Sequence, residues 1–107
     1  MDAEFEVVEE PEGGRFVVLV DGVEAGAAYY RRVGDRVAFT HTEVSDAFQG
    51  RGVGSRLARG ALDAVRGRGE RVVPLCPFIA GYISGHPEYA ELVDEELLAE
   101  LSEGNPG

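Results

Sequence analysis

The apolar pattern of this chain changes period once, after Val44, and that change limits the fold more than any other feature. Up to Val44 the apolar residues fall in short β-prone runs separated by turn signals. Phe5 to Val8 is the first run, and Pro11-Glu12-Gly13-Gly14 reads as a turn. Arg15 to Val20 is a compact apolar strand ended by Asp21-Gly22, a two-residue hairpin signal. Val23 to Arg32 returns, Gly34-Asp35 turns the chain again, and Arg36 to Val44 is the next strand. An antiparallel meander is expected.

Beyond Val44 the reading is different. Ser45 to Phe48 is a connection and Gln49 to Gly54 is glycine-rich. Val53, Leu57, Ala61, Leu62 and Val65 then recur at helical spacing, up to an end near Gly67 or Gly69. Arg71 to Cys76 reads as a strand. Reaching it by way of a helix implies parallel pairing with the strand that ends at Val44. A short helix is expected from Phe78 to Gly85 after Pro77, stopped by Pro87. Leu92 to Leu101 reads as an acidic amphipathic helix, and Ser102 to Gly107 as a frayed tail. The fold class is therefore α/β with a mixed (α+β) sheet, an antiparallel meander followed by one βαβ unit. A chain of 107 residues is enough for one such core.

The segment Gln49-Gly50-Arg51-Gly52-Val53-Gly54 stands between a strand and a helix, and there it has a physical use. The first turn of a helix carries unpaired backbone N–H groups and a partial positive charge. Glycines let an anion approach that backbone without a Cβ in the way. Arg51 and Arg56 can add charge-assisted bonds. The lysine and the serine or threonine of a Walker loop are missing, and Leu57 stands where a Rossmann loop has its third glycine.

Charge placement agrees with an anion site. The formal net charge is −10, which makes nucleic acid and anionic membranes poor partners. Yet Gln49 to Arg71 holds six arginines and two acids, against four arginines and eighteen acids elsewhere. A solvated helix face would account for that island equally well. The single cysteine, Cys76, excludes an internal disulfide and a cysteine-built zinc site, and no metal site is expected. Met1-Asp2-Ala3-Glu4 has neither the basic nor the apolar region of a signal peptide, and no apolar run approaches the roughly 18 residues that span a bilayer. A cytoplasmic protein is expected.

Gln49, Gly52 and Gly54 match the Q/R-x-x-G-x-G/A pyrophosphate loop of the GNAT acyltransferases. The preceding Thr40-His41-Thr42-Glu43-Val44, the run Val73-Pro74-Leu75-Cys76-Pro77-Phe78-Ile79 and the stretch Tyr82-Ile83-Ser84-Gly85-His86-Pro87-Glu88-Tyr89 resemble a compact GNAT-like subfamily, from about Phe5 to Val93. The resemblance implies a minimal GNAT fold with splayed parallel strands, in which Pro74 suits a place where neighbouring strands separate. It implies an acetyl-CoA-binding domain over residues 1–93, followed by an acidic helix and tail over 94–107. It also implies that the pantetheine arm pairs with backbone at Glu43 and Val44. The diphosphate would rest on Gln49, Gly50, Arg51, Gly52, Val53, Gly54 and Ser55. The activity implied is N-acetyl transfer from acetyl-CoA to an unidentified amine, on a small molecule or a protein. A non-catalytic or cysteine-acetylating binder or sensor is the alternative.

The chain departs from that family in two places. Only Glu9 to Gly14 separates the first two strands, where a typical GNAT domain has two helices that build much of the acceptor pocket. Pro77 and Ser84 stand where the family has an asparagine and a tyrosine, so the usual acid for the leaving thiolate is missing from its place.

Amine acetylation needs a route for the amine proton and donors for the developing oxyanion. Alternation along Arg36 to Val44 puts Val37, Phe39, His41 and Glu43 on one face, with His41 and Glu43 about 7 Å apart along the strand. Glu43 is a candidate base, unless it simply neutralises an arginine. His41 is a candidate catalytic or structural histidine. Cys76, at the end of the second parallel strand, is a candidate acetyl acceptor beside a helix start, or a buried inert thiol. His86 is read as a proton shuttle, a partner of Cys76, or a turn-stabilising group. Tyr82 and Tyr89 are candidate donors to the thiolate, or core residues with a polar tip.

Overall fold

The computed structural model of the protein describes residues 3–103. The elements run β1 (Phe5–Glu10), β2 (Arg15–Val20), β3 (Val23–Val33), β4 (Arg36–Val44), α1 (Val53–Gly67), β5 (Arg71–Pro74), α2 (Pro77–Gly85) and α3 (Glu95–Glu103). Strands lie in the order β1-β2-β3-β4-β5. The first four pair antiparallel, and β5 joins β4 in parallel after the α1 crossover. This is the mixed sheet expected from the pattern, and it is consistent with a minimal GNAT fold.

α1 forms because its apolar residues keep helical spacing. Val53, Leu57, Ala58, Ala61, Leu62 and Val65 are all buried on one stripe. That stripe packs on the sheet face presented by Phe16, Val18, Ala28, Tyr30, Val37, Phe39 and Val72. Each large side chain buried this way contributes about 1.5–3 kcal/mol. The opposite face of β3 and β4 has no helix over it at Tyr29, His41 and Glu43, and the last two are well exposed.

Two details of the sheet govern the site. The first is a step in the β3–β4 register, from Tyr30↔Phe39 to Tyr29↔His41, which leaves Thr40 as an extra residue in β4. Such a bulge moves the following side chains to the other face. Thr42 and Val44 pair with Ala28 and Gly26, and so follow Phe39 toward the core. His41 and Glu43 pair with Tyr29 and Ala27, on the helix-free side. The expected sharing of one face by Val37, Phe39, His41 and Glu43 is thereby corrected.

The second detail is where the parallel pair stops. Its ladder runs from Arg36↔Arg71 to Phe39↔Pro74 and goes no further. Pro74 has no N–H to continue it. Cys76 N still donates to Phe39 O at 2.9 Å, but the chain then enters α2. The strand expected over Arg71 to Cys76 ends two residues early for this reason, and β4 from Thr40 to Val44 runs on without a strand partner on that side among the described residues.

The C-terminal helix starts later than expected. Leu92 closes a 3-10 turn, Val93 bridges to Val72, and Asp94 caps α3 by accepting Leu97 N at 3.0 Å. Helix continues through Ser102 to Glu103, and the rest of the expected tail, 104–107, lies outside the described residues. Arg36 Nε donates to Asp94 Oδ2 at 2.7 Å, and this bond, with that from Leu97 N, holds the carboxyl below its ordinary range. Arg32 does the same for Glu70. A carboxyl depressed by folding stabilises the fold above its unfolded pKa and loses that contribution as the pH falls through the folded value. The urea midpoint is expected to hold from neutral pH to about pH 5 and to drop below about pH 4. Asp94→Asn should start lower and fall less steeply; an unchanged acid slope would remove Asp94 from this account.

Candidate active site

The glycine segment is shaped by its backbone. Gly50 and Gly52 take φ of +77° and +73°, a region costly for residues with a Cβ, and Gly52 is the N-cap of α1. A Cβ placed on either would meet nothing within 4 Å, so the approach to this backbone is open. Among the described residues no side chain caps α1, which leaves the N–H groups of its first turn without a partner there. Gln49 straps the loop to β4 by donating from Nε2 to Val44 O at 2.9 Å. Its amide is thus a positioning group on the end of β4. Val53 offers only its main chain, since its side chain is in the core. Ser55 is exposed on the first turn.

The nearby cations are placed differently from one another. Arg51 lies over the Phe48 ring at 5.4 Å, beside the loop. Arg56 reaches the other way, over Phe5 at 4.5 Å. Gly54 has a packing role. A Cβ there would come within 2.8 Å of the Phe78 ring, so glycine at this position lets the starts of α1 and α2 meet.

Where β4 and β5 part, two groups face the core side. Thr42 Oγ1 and Cys76 Sγ lie 3.3 Å apart. Cys76 is the N-cap residue of α2 and is only 3% exposed. On the other side of β4, Tyr29 donates its hydroxyl to Glu43 Oε1 at 3.3 Å, and His41 Nε2 lies 3.3 Å from Glu43 Oε2. The Tyr29 and His41 rings stack at 5.9 Å. Glu43 has no arginine partner among the described residues, so the expectation that it merely neutralises one is not met. A cavity of about 320 Å³ opens beside this stretch, with Glu24, Gly26, Glu43 and Asp46 in its wall.

His86 and Tyr82 lie away from the split. His86 begins the turn after α2, ten residues or about 15 Å along the helix from Cys76, so the expected pairing of the two does not form. His86 Nδ1 sits 2.8 Å from Tyr82 O, and the two rings stack at 3.9 Å. Tyr89 donates to Asp63 Oδ1 at 2.7 Å, and burial together with that carboxylate pushes its phenol up to about 12. Burial also raises Tyr82. These three form an aromatic seam between α1 and α2. The structure therefore places Cys76 where β4 and β5 part and the loop at the end of β4 beyond, and leaves His86, Tyr82 and Tyr89 in the aromatic seam.

Two residues of β3 that shape the site have no place among the candidates that the sequence offers. Gly26 faces Val44 across the ladder, and a Cβ on it would stand 2.7 Å from Glu43 O. A lone glycine inside a strand is a signal of such close backbone approach. Tyr29 becomes visible only once the pairing of β3 with β4 is known. Among the described residues no group of His, Cys, Asp and Glu could hold a metal ion, and no helix is long and apolar enough to cross a membrane.

A family model described as GCN5-related N-acetyl-transferase matches residues 15–92. Protein NATD1 of Gallus gallus is 36% identical over 75 residues, which cover 68% of each chain. Protein NATD1 of Mus musculus shows the same figures. Protein NATD1 of Homo sapiens is 36% identical over 75 residues, covering 68% of this chain and 66% of its own. The family match begins at the first residue of β2 and ends at Leu92, so it takes in the strand split, the loop and both flanking helices; the chain belongs to the GCN5-related N-acetyltransferase family.

Proposed function

We propose that this protein transfers the acetyl group of acetyl-CoA to an amine. The observation that carries the reading is that two features lie along one strand. The parallel strands stop pairing at Phe39↔Pro74, and an open, uncapped helix start with two left-handed glycines lies at the far end of the same strand. A diphosphate suits the second, because free N–H groups and the helix dipole favour an anion. The pantetheine arm suits the first, because β4 beyond Phe39 has backbone groups left unpaired by β5. The thioester then reaches the split, near Thr42 and Cys76.

α1 and α2 occupy the core side, so the acceptor comes from the exposed side of β4 that carries His41 and Glu43. The carboxylates of Glu24, Glu43 and Asp46 in the cavity wall there favour a cationic amine over an anionic acceptor. The acceptor's ammonium first gives one proton to solvent; the neutral nitrogen then forms its bond to the thioester carbonyl carbon, the C–S bond breaks, CoA leaves with the electron pair, and the nitrogen gives up its second proton. A second reading, a binder that acetylates only itself at Cys76, draws on the place of that thiol at the N-cap of α2. Its burial weighs against it.

The two readings part in one measurement. Purified protein is incubated with acetyl-CoA and a panel of amines, while CoA release and intact mass are followed. Release that requires an amine, with no lasting adduct, is the expected result. An acetyl adduct that vanishes in Cys76→Ser, or bound CoA with no release for any amine, would replace the enzyme by the binder.

A further inference from the structure

Tyr29, His41 and Glu43 form a connected group on the helix-free side of the sheet, and the connection runs in one direction. Both oxygens of the Glu43 carboxylate are engaged, Oε1 by the Tyr29 hydroxyl and Oε2 by His41 Nε2. An ionised carboxylate only accepts hydrogen bonds, so the imidazole proton belongs on Nε2 and the lone pair on Nδ1. His41 is exposed, and its Nδ1 has no hydrogen-bond partner among the described residues. The Tyr29 ring, stacked on the imidazole at 5.9 Å, limits its rotation. Arg15 of β2 also faces the group, with its guanidinium 6.0 Å over the Tyr29 ring. That cation is held by Glu10 at 2.7 Å and Glu24 at 3.4 Å, so it does not compete for Glu43. Asp46 is a further charged group in the wall of the neighbouring cavity.

We infer that His41 accepts the proton of the acetyl acceptor through Nδ1, and that Glu43 and Tyr29 are its positioning residues. The inference rests on the acetyl transfer proposed above. As the amine nitrogen bonds to the thioester carbonyl carbon and the C–S pair leaves with CoA, the surplus proton on nitrogen passes to Nδ1. The CoA thiolate takes a proton from solvent, and the imidazolium returns its proton to solvent. Glu43 stabilises the imidazolium while it lasts, and the Tyr29 hydroxyl keeps the carboxylate turned toward the ring. The bulge at Thr40 makes the arrangement possible, since simple alternation would have turned His41 and Glu43 into the core.

The test uses the full chain, an amine that the wild type acetylates, and three variants. His41→Gln is expected to lower kcat about 100-fold or more. Tyr29→Phe keeps the ring and loses the hydroxyl, and is expected to lower kcat about 3- to 10-fold, an effect of the size of one hydrogen bond. Calorimetric affinity for CoA and the melting temperature should stay at wild-type values in both, which a merely structural role would not permit alongside a loss of kcat. Nitrogen NMR of the His41 ring, at a pH where it is uncharged, should show the proton on Nε2 in the wild type and a mixture of tautomers in Glu43→Gln. His41→Gln with kcat within about twofold of wild type, or an Nδ1-protonated ring, overturns the inference while leaving acetyl transfer standing. A wild type that binds CoA and acetylates no amine overturns both.

Discussion

Phe39→Ala is expected to lower the free energy of unfolding by about 3–5 kcal/mol, read from the urea midpoint at constant slope. The side chain is fully buried, and its ring lies 6.1 Å from both Phe16 and Tyr30. Removing it takes away the transfer free energy of the ring and leaves a void bounded by sheet on one side and α1 on the other. Neither wall can close that void cheaply. The sheet is fixed by its ladders, and α1 is fixed by Leu57 and Leu62, which are themselves fully buried. A domain of this size has about 5–15 kcal/mol in all, so the loss is a large part of the total. Phe39→Leu, which keeps most of the volume, should cost about 1–1.5 kcal/mol. The comparison isolates the void from any effect on the backbone, where Phe39 O also accepts the N–H of Cys76. A loss below about 1 kcal/mol for the alanine variant would mean that the core closes around the site.

Much of this fold could be read from the chain because its local signals agree with each other. Asp21-Gly22 closes β2 against β3, with Asp21 in the left-handed region at φ 50°, as the hairpin signal requires. The α1 stripe from Val53 to Val65 carries that helix's contact with the sheet, and its periodicity says so directly. The end of β5 was less legible. Pro74 marked a place where strands could part, but the apolar run continues through Leu75 and Cys76 and hides the stop.

The bulge at Thr40 leaves little trace in the sequence. From Thr40 to Glu43 every side chain is polar, so alternation has nothing to alternate, and the step from one face to the other leaves no mark. One signal did exist. Phe39 and Val44 both pack toward the core, yet they are an odd number of residues apart, which a regular strand cannot achieve. Reading that spacing would have turned His41 and Glu43 to the helix-free side and brought Tyr29 into view. The distance between Cys76 and His86 failed for a different reason. Both flank a helix whose length was legible, but a helix that joins two candidate residues also holds them apart.

Gly52→Asp is expected to weaken CoA binding at least tenfold, with little change in the stability of the fold. The two parts of that statement have separate causes. Gly52 is the N-cap of α1 at φ +73°, and a side chain in that region costs about 1–2 kcal/mol in general, less for aspartate, which visits it more readily. Against this, a carboxylate at the start of a helix gains about 0.3–1 kcal/mol from the dipole. The fold should therefore lose little, and the space around the Cβ is open. Binding meets the opposite balance. The carboxylate enters the place proposed for the diphosphate and takes for itself the N–H groups that the diphosphate needs. A charge pair at about 4 Å near a protein surface is worth up to about 4 kcal/mol, so even a third of that repulsion is a tenfold loss. Gly52→Ala is the control for backbone strain alone and should keep most of the affinity. Gly54→Ala separates the two kinds of glycine, because its Cβ meets the Phe78 ring and not the open approach. Calorimetry with CoA on the three variants, beside their melting curves, gives the expected order, with Gly52→Asp weakest by far and all three folded. If Gly52→Asp binds CoA as tightly as the wild type, the diphosphate does not rest on the start of α1.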